Sequence, residues 1–357
     1  MLAAVSTEAV MPLAVRRMFR VALTVSLSLA VAYGAAIPMP FLAPLLAISV
    51  ALIPGPPMGL KSLLGLALVM LLSLGIGLLI TPLLQEYPLS AVLLVGVGLY
   101  LSTYISVSKG QALVGTFLTV GLAIIPAAGV YSFSVALDVI QALVLGMCLA
   151  IVCLWVVYPL FPEDPGSVAS KPAYSSPENA NWIALRVALI VLPPFLIALT
   201  NPAVYLKVIM KSVLLGQQGS AVNARNAGRE LLGSTFLAGV AASLFWILLK
   251  LSPTLWMFFL WMLLFMSFIA AKIFAISASR YSASFWQNVA VTMLILLGSA
   301  VQDSANGDDV YRAFAARLGL FILVTLYAWG AVFVLEAWRS KRQRQYAAAV
   351  TPVAGPI

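Results

Sequence analysis

The sequence contains no histidine among its 357 residues. Histidine is the usual proton shuttle near neutral pH and a common metal ligand, so its absence excludes histidine-based proton relays, catalytic triads and histidine metal sites. Cysteine is almost as scarce, because Cys148 and Cys153 are the only two and lie five positions apart in one apolar run. That spacing matches no metal-ligand motif, and we expect buried small apolar side chains and no cofactor.

Charged residues are also few. They form 9% of the chain, whereas hydrophobic residues form 63%, and soluble globular domains carry about 25% charged residues. The apolar residues lie in long continuous runs, while strands of a transmembrane barrel alternate apolar with polar residues. The sequence therefore predicts an all-α polytopic membrane protein.

The net charge of +9 does not indicate a nucleic-acid partner. The basic residues stand singly between apolar runs, as membrane orientation requires, and form no basic patch. Placing the N-terminus inside puts most of the 20 lysines and arginines on the cytoplasmic side. We therefore expect a multi-pass protein of the inner membrane, in contact with lipid, with both termini cytoplasmic.

Two halves of the chain share short sequence matches and the same number of apolar runs. RVAL at residues 20–23 recurs at residues 186–189, and KSLLG at residues 61–65 corresponds to RELLG at residues 229–233. The runs are Val21–Ile37, Phe41–Ile53, Leu60–Ile80, Leu89–Val107, Ala112–Ala127 and Phe133–Leu160, then Trp182–Leu199, Ala203–Leu215, Leu231–Leu251, Leu255–Ile273, Phe285–Val301 and Ala313–Trp338. Each half has six runs, and an even number of crossings returns the chain to the side of the membrane on which it began. The two halves should therefore have the same orientation in the membrane.

The predicted organisation is therefore about twelve transmembrane elements in two parallel six-helix repeats. The first repeat covers residues 1–160, and the second covers residues 182–338. Between them, residues 161–181 are rich in Pro, Ser, Glu, Asp and Asn, as expected of a solvated cytoplasmic linker. A basic cytoplasmic tail follows over residues 339–357.

The chain resembles the fusaric acid resistance and aromatic acid exporter family in four features. These are the arginine before the first helix, the short proline-bearing second segment, the KSLLG and RELLG motifs, and the doubling of a six-helix unit. The resemblance spans the whole chain and implies an inner-membrane efflux protein for aromatic carboxylic acids, often working with a periplasmic adaptor protein. Larger relatives carry a cytoplasmic domain between the halves, where this chain has only residues 161–181, as in a compact branch. We also expect a homo-oligomer.

Lys207 and Lys211 are the first candidates for a substrate-binding site. They lie i, i+4 on one helical face, inside an apolar run that is too short for a simple crossing of about 20 residues. A broken helix that presents two ammonium groups to a carboxylate in a protected cavity is one interpretation. The alternative is that the lysines reach a headgroup region or pair with a distant carboxylate.

Further candidates carry separate roles. Asp138 is the only acidic residue within an apolar run of the first half and is the candidate proton carrier, although it lies near the start of its helix, where it can stay hydrated. Arg229 and Glu230 begin a helix at the predicted cytoplasmic mouth and either gate it or anchor the helix. Arg317 lies near acidic residues at the outer end and is a candidate for substrate contact.

Three functions are compatible with these features. The first is a proton-driven secondary exporter of aromatic or other amphipathic organic anions, and the second is a channel-like conductor of such anions. The third is a membrane enzyme or a scaffold without transport. The lack of histidine and of paired-carboxylate or metal motifs disfavours an enzyme, and a scaffold does not need two lysines within a membrane segment.

Overall fold

The computed structural model describes residues 11–164, 177–202, 205, 209–213, 215, 224–307 and 309–350. Eleven helices have defined bounds in this part of the chain: α1 Leu13–Gly34, α2 Leu42–Ala51, α3 Leu60–Glu86, α4 Pro88–Lys109, α5 Ala112–Tyr131, α6 Phe133–Val157, α7 Pro177–Thr200, α8 Ala224–Leu251, α9 Leu255–Ile273, α10 Ala283–Asn306 and α11 Val310–Val350. Residues 209–213 are also helical.

Nine of the helices with defined bounds are long and apolar enough to cross a membrane. The protein is an all-α polytopic membrane protein, as the sequence predicts. The bounds of α9 coincide with the predicted run, whereas α2 and α6 end before their runs do, and α8 and α11 extend well beyond theirs. The adjacent prolines Pro193 and Pro194 lie inside α7 without ending it, although they remove two backbone donors.

Local chemistry sets several helix ends. The Ser282 hydroxyl accepts a hydrogen bond from the backbone N–H of Phe285 at 3.3 Å and caps the start of α10. Gly307 ends the same helix in the left-handed region, with φ of +80°, where a residue without a Cβ is favoured. Gly110 ends α4 in the same way.

The helices form two compact units, and the described residues of unit 1 fall within Met1–Gly75, Ser132–Ala173 and Ser234–Leu318. Helix α1 is central to unit 1, since it packs against α2, α6 and α9. Its hydroxyl side chains are buried and hydrogen-bonded to carbonyls one turn earlier, as Thr24 is to Arg20. Helix α2 has ten residues, nine of them buried, so it is about 15 Å long and too short to cross a bilayer alone.

The described residues of unit 2 fall within Ile76–Tyr131, Tyr174–Gly233 and Gly319–Ile357. Helices α4, α5 and α7 pack on one another here. Helix α5 approaches α3 closely at Gly77, where an added Cβ would overlap the carbonyl oxygen of Gly121. A second core forms around Ile190, Leu231 and Val324.

Each unit combines helices from both halves of the sequence. In unit 1, α1 of the first half packs on α9 of the second, and in unit 2, α7 of the second half packs on α4 of the first. Helices α1 and α7 open their halves, and α4 and α9 are the fourth elements. Two equivalent halves would produce this reciprocal pairing, while their parallel orientation in the membrane stays a prediction.

Candidate functional site

Lys211 lies within the buried helical residues 209–213 of unit 2. Its side chain is 0% exposed, and its neighbours Ile209, Ser212 and Val213 are at most 2% exposed. The Ser212 hydroxyl donates to the carbonyl of Ile209 at 2.8 Å, which satisfies that hydroxyl within its own turn. A lysine is rarely buried this deeply in a protein. The predicted partner lysine, Lys207, lies outside the described residues.

A cavity of about 360 Å³ lies within unit 1. We call it the unit 1 cavity, and its walls include Tyr33, Trp246, Thr254, Leu255, Phe258 and Ser304. These residues come from the end of α1, the end of α8, the start of α9 and the end of α10. In the predicted orientation these ends face outward. The cavity falls in the size range of small-molecule sites, which combine apolar walls with a few polar groups.

Aromatic rings line the unit 1 cavity and continue behind it. Tyr33 and Phe258 meet edge to face with ring centroids 5.1 Å apart, and Phe258 meets Phe245 in the same way at 5.6 Å. Phe245 in turn meets Phe265 at 5.2 Å. Edge-to-face contact is a favourable arrangement of aromatic quadrupoles, so these rings fix the shape of the inner wall.

Arg317 forms a bidentate ion pair with Asp303 in unit 1. Its Nη2 donates to Oδ1 of Asp303 at 2.7 Å, and its Nη1 donates to Oδ2. Asp303 is 4% exposed. Of the acidic residues near Arg317 in the sequence, Asp303 is the one that pairs with it. Asp309 accepts hydrogen bonds from the backbone N–H groups of Tyr311 and Arg312, and Asp308 lies outside the described residues. Arg317 is engaged by Asp303, and its contact with a substrate stays a prediction.

The remaining predicted residues lie on α6 and near the start of α8. Asp138 is exposed on the surface of α6. Glu230 is partly buried near the start of α8. Arg229 is helical, and its side chain lies outside the described part. The roles of Asp138 in proton transfer and of Arg229 and Glu230 in gating stay predictions.

The structure brings together an arginine cluster that the sequence analysis did not single out. Glu163, in the predicted linker, accepts hydrogen bonds from Arg17 at 2.6 Å and from Arg20 at 2.5 Å. The side chains of Arg20 and Glu163 are each 2% exposed. The guanidinium of Arg20 also lies 5.6 Å from the ring centre of Tyr158. This cluster joins the start of α1 to the segment that follows α6.

Glu163 has a depressed pKa for a clear reason. Burial by itself raises the pKa of a carboxyl group, but the hydrogen bonds from Arg17 and Arg20 and the positive charges of both guanidinium groups outweigh burial and lower the pKa of Glu163 to about 2. Glu163 is therefore ionised at any physiological pH. Asp164 adds a second carboxylate, paired with Arg16.

Unit 2 contains an equivalent pair. Nη1 of Arg186 donates to Oε1 of Glu336 at 3.1 Å, and the indole Nε1 of Trp182 donates to the same oxygen at 3.2 Å. Arg186 is 5% exposed. Arg20 and Arg186 are the arginines of the two RVAL motifs, and each meets a glutamate that lies at or beyond the last helix of its own half. The repeated motif was visible in the sequence, whereas the glutamate partners were not.

Comparison with known proteins gives one finding. Residues 17–157 match a family model described as "Protein of unknown function (DUF2955)". The match covers most of α1 and all of α2–α6, lies within the predicted first repeat and includes less than half of the chain. No curated protein and no solved structure matches the chain. Its function must therefore be inferred from its own residues.

Proposed function

We propose that this protein is a secondary exporter of aromatic or other amphipathic organic anions in the inner membrane, driven by the proton motive force. The observation that carries the proposal is Lys211, a lysine that is 0% exposed in a short apolar helical segment. Ionisable residues inside membrane segments are costly and mark substrate or ion pathways. An ammonium group shielded from water suits a substrate carboxylate, because a charge-assisted hydrogen bond is strongest where water does not compete.

The second support is the pair of short apolar segments. Transporters built from repeats place their substrate sites at interrupted helices near the middle of the membrane. Helix α2 and residues 209–213 occupy corresponding positions in the two halves, and both are largely buried within their units. A site that is closed to water in one state has to open in another, which is the alternating access of a secondary transporter. The resemblance in KSLLG and RELLG points to the same substrate class.

The test is transport by the purified full-length protein in proteoliposomes. Under an imposed pH gradient, we expect movement of an aromatic carboxylate such as 2-naphthoate, together with a pH change that reports proton flow. Lys211→Met keeps much of the apolar stem and removes the charge. Loss of one charge-assisted hydrogen bond costs about 1.5–3 kcal/mol, so the apparent affinity for 2-naphthoate should fall roughly ten- to more than a hundredfold.

Two controls make the result specific. Lys109→Met removes an exposed lysine at the end of α4 and should leave transport unchanged. Asp138→Asn in the same liposomes tests the proton role of that carboxylate, since unchanged proton flow removes it from the mechanism. If Lys211→Met lowers the affinities for 2-naphthoate and for its uncharged amide equally, Lys211 has a structural role and the proposal that it binds the substrate anion is wrong. Current without stoichiometric proton movement would instead identify a channel.

A further inference from the structure

Two stacked tryptophans join the start of α7 to the later part of α11 in unit 2. The rings of Trp182 and Trp338 have centroids 6.1 Å apart and planes inclined by 25°. Trp338 is 51% exposed, and residues 339–345, which follow it, are all polar. Tryptophans are enriched at the boundary between membrane and water. The pair therefore marks the predicted cytoplasmic surface of the membrane.

Arg339 lies against this pair. Its guanidinium carbon is 5.4 Å from the ring centre of Trp182, and its Nη2 donates to the side-chain oxygen of Asn179 at 2.6 Å. These two contacts hold the guanidinium at the start of α7, and the side chain stays partly exposed. A guanidinium carries five N–H donors, so donors are left for the oxygens of a phosphate group, which arginine binds in bidentate fashion.

Carboxylates do not balance the positive charge at this position. Glu336 accepts hydrogen bonds from Arg186 and Trp182, so its charge is engaged by the buried arginine. Among the residues that the structure describes, no carboxylate forms an ion pair with Arg339 or with the exposed Lys341. The charge that these two residues add is therefore available to an anion from outside the protein.

The corresponding helix ends of the first half are paired internally. Arg16 pairs with Asp164, and Arg17 and Arg20 pair with Glu163. In the second half, α11 instead continues to Val350 as a helix without an acidic residue after Glu336. We call its basic stretch the α11 basic segment, and it contains Arg339, Lys341, Arg342 and Arg344. The two halves therefore differ in whether these basic residues have partners within the chain.

An anionic lipid suits this place better than a soluble anion does. Roughly four to eight basic residues immediately cytoplasmic of a transmembrane helix are typical of segments that bind anionic lipid headgroups. The α11 basic segment has four within six positions, directly after Trp338. The exposed ring of Trp338 offers apolar surface at the membrane boundary, where a lipid has its glycerol and acyl groups.

We propose that the start of α7 and the α11 basic segment form a binding site for the phosphate headgroup of an anionic phospholipid. Arg339, held by Asn179 and Trp182, binds the phosphate oxygens, and Lys341 adds positive charge. Trp338 contacts the part of the lipid below the headgroup. This site is separate from Lys211 and does not rest on the exporter proposal.

Native mass spectrometry of the full-length protein, released from dodecyl maltoside micelles, measures the binding of phosphatidylglycerol. Arg339→Gln should weaken the tightest binding step about fivefold, the effect of one basic residue near an anionic lipid surface. Arg280→Gln is the matched control, because Arg280 is an exposed arginine in the loop after α9 that is also predicted to be cytoplasmic. It should leave that step unchanged, and equal weakening by both substitutions would overturn the proposal.

Lys341→Gln provides a second variant, since Lys341 is exposed and its replacement leaves the core intact. It should also weaken phosphatidylglycerol about fivefold, and an unchanged affinity in both Lys341→Gln and Arg339→Gln would show that the lipid binds elsewhere. Phosphatidylcholine, which has no net charge, should bind the wild type and Arg339→Gln equally.

Competition identifies the class of ligand. Glycerophosphate carries the phosphate without the acyl chains, and polyglutamate represents an acidic polypeptide. A large excess of either should leave phosphatidylglycerol bound, because neither supplies apolar groups for Trp338. Displacement of the lipid by glycerophosphate or by polyglutamate would mean that the α11 basic segment binds a soluble anion or an acidic protein, and that the lipid proposal is wrong.

Discussion

At the scale of single residues, the repeated RVAL motif of the sequence corresponds to a repeated feature of the structure, a buried arginine. Arg20 and Arg186 stand in the two RVAL motifs, and each is buried against a glutamate. A buried charge is tolerated only when it is paired and hydrogen-bonded. The pairing explains why an arginine can lie on the inner face of α1 among apolar residues. It also explains why Glu163 is buried in a segment whose composition predicts a solvated linker.

Ionised Glu163 should make the free energy of unfolding depend on pH. Its pKa of about 2 lies below the ordinary value of 4.5, so the unfolded protein binds the proton more readily. The stabilisation is therefore complete above about pH 4.5 and is lost as the pH falls toward 2. Glu163→Gln should lower the unfolding temperature in detergent at pH 7, and its difference from wild type should shrink as the pH falls from 4.5 to 3.

Glu86→Gln is the control for this effect, because Glu86 is an exposed glutamate at the end of α3. It should leave the unfolding temperature unchanged across the same pH range. Removing one partner of a buried ion pair typically costs about 3–5 kcal/mol, and the effect of Glu163→Gln at pH 7 should be large. A difference between Glu163→Gln and wild type that stays constant from pH 7 to pH 3 would contradict the assigned pairing.

At the scale of helices, glycines divide into those that admit a neighbouring helix and those that face open space. The sequence predicts that glycines such as Gly75 and Gly77 let helices approach closely. The structure supports this for Gly77, where a Cβ would overlap the backbone of Gly121 in unit 2. At Gly75, no described atom lies within 4 Å of an added Cβ. Sequence alone could not separate two glycines on one helix.

Gly77→Ala and Gly75→Ala form a matched pair for α3. Gly77→Ala should destabilise the protein by about 1–3 kcal/mol, since overpacking against a backbone carbonyl forces the helices apart. Gly75→Ala should be neutral or slightly stabilising, because alanine favours a helix over glycine by about 0.5–1 kcal/mol. Thermal unfolding of the two purified variants in the same detergent gives the comparison. Equal destabilisation by both substitutions would mean that α3 and α5 do not approach at Gly77.

The sequence predicts the positions of the helices better than it predicts which residues meet at the candidate site. Long apolar runs locate α3 to α6 and α9, because in a membrane a helix must satisfy every backbone polar group internally. Helix ends moved where polar residues continue a helix, as at Pro177 in the predicted linker. The Arg20–Glu163 contact joins residues 143 positions apart, and no local pattern indicates such a pair. The unit 1 cavity likewise depends on four helix ends that meet only after folding.

At the scale of the whole molecule, the two halves of the sequence do not coincide with the two compact units, because each unit contains segments of both halves. The family match over residues 17–157 follows the first half of the sequence, whereas unit 1 takes α9 and α10 from the second half. A parallel repeat requires that equivalent loops of the two halves lie on the same side of the membrane.

Single-cysteine labelling in intact cells tests that requirement. Glu86→Cys and Ser252→Cys place thiols at the ends of α3 and α8, which are equivalent helices of the two halves. Lys109→Cys and Arg280→Cys place thiols at the end of α4 and in the loop after α9. The excess of basic residues inside predicts that a membrane-impermeant maleimide labels the first pair directly and the second pair only after permeabilisation. The background carries alanine at Cys148 and Cys153, the two native cysteines. Labelling of Glu86→Cys and Ser252→Cys from opposite sides would mean that the halves are inverted, because equivalent loops of an inverted repeat face opposite surfaces.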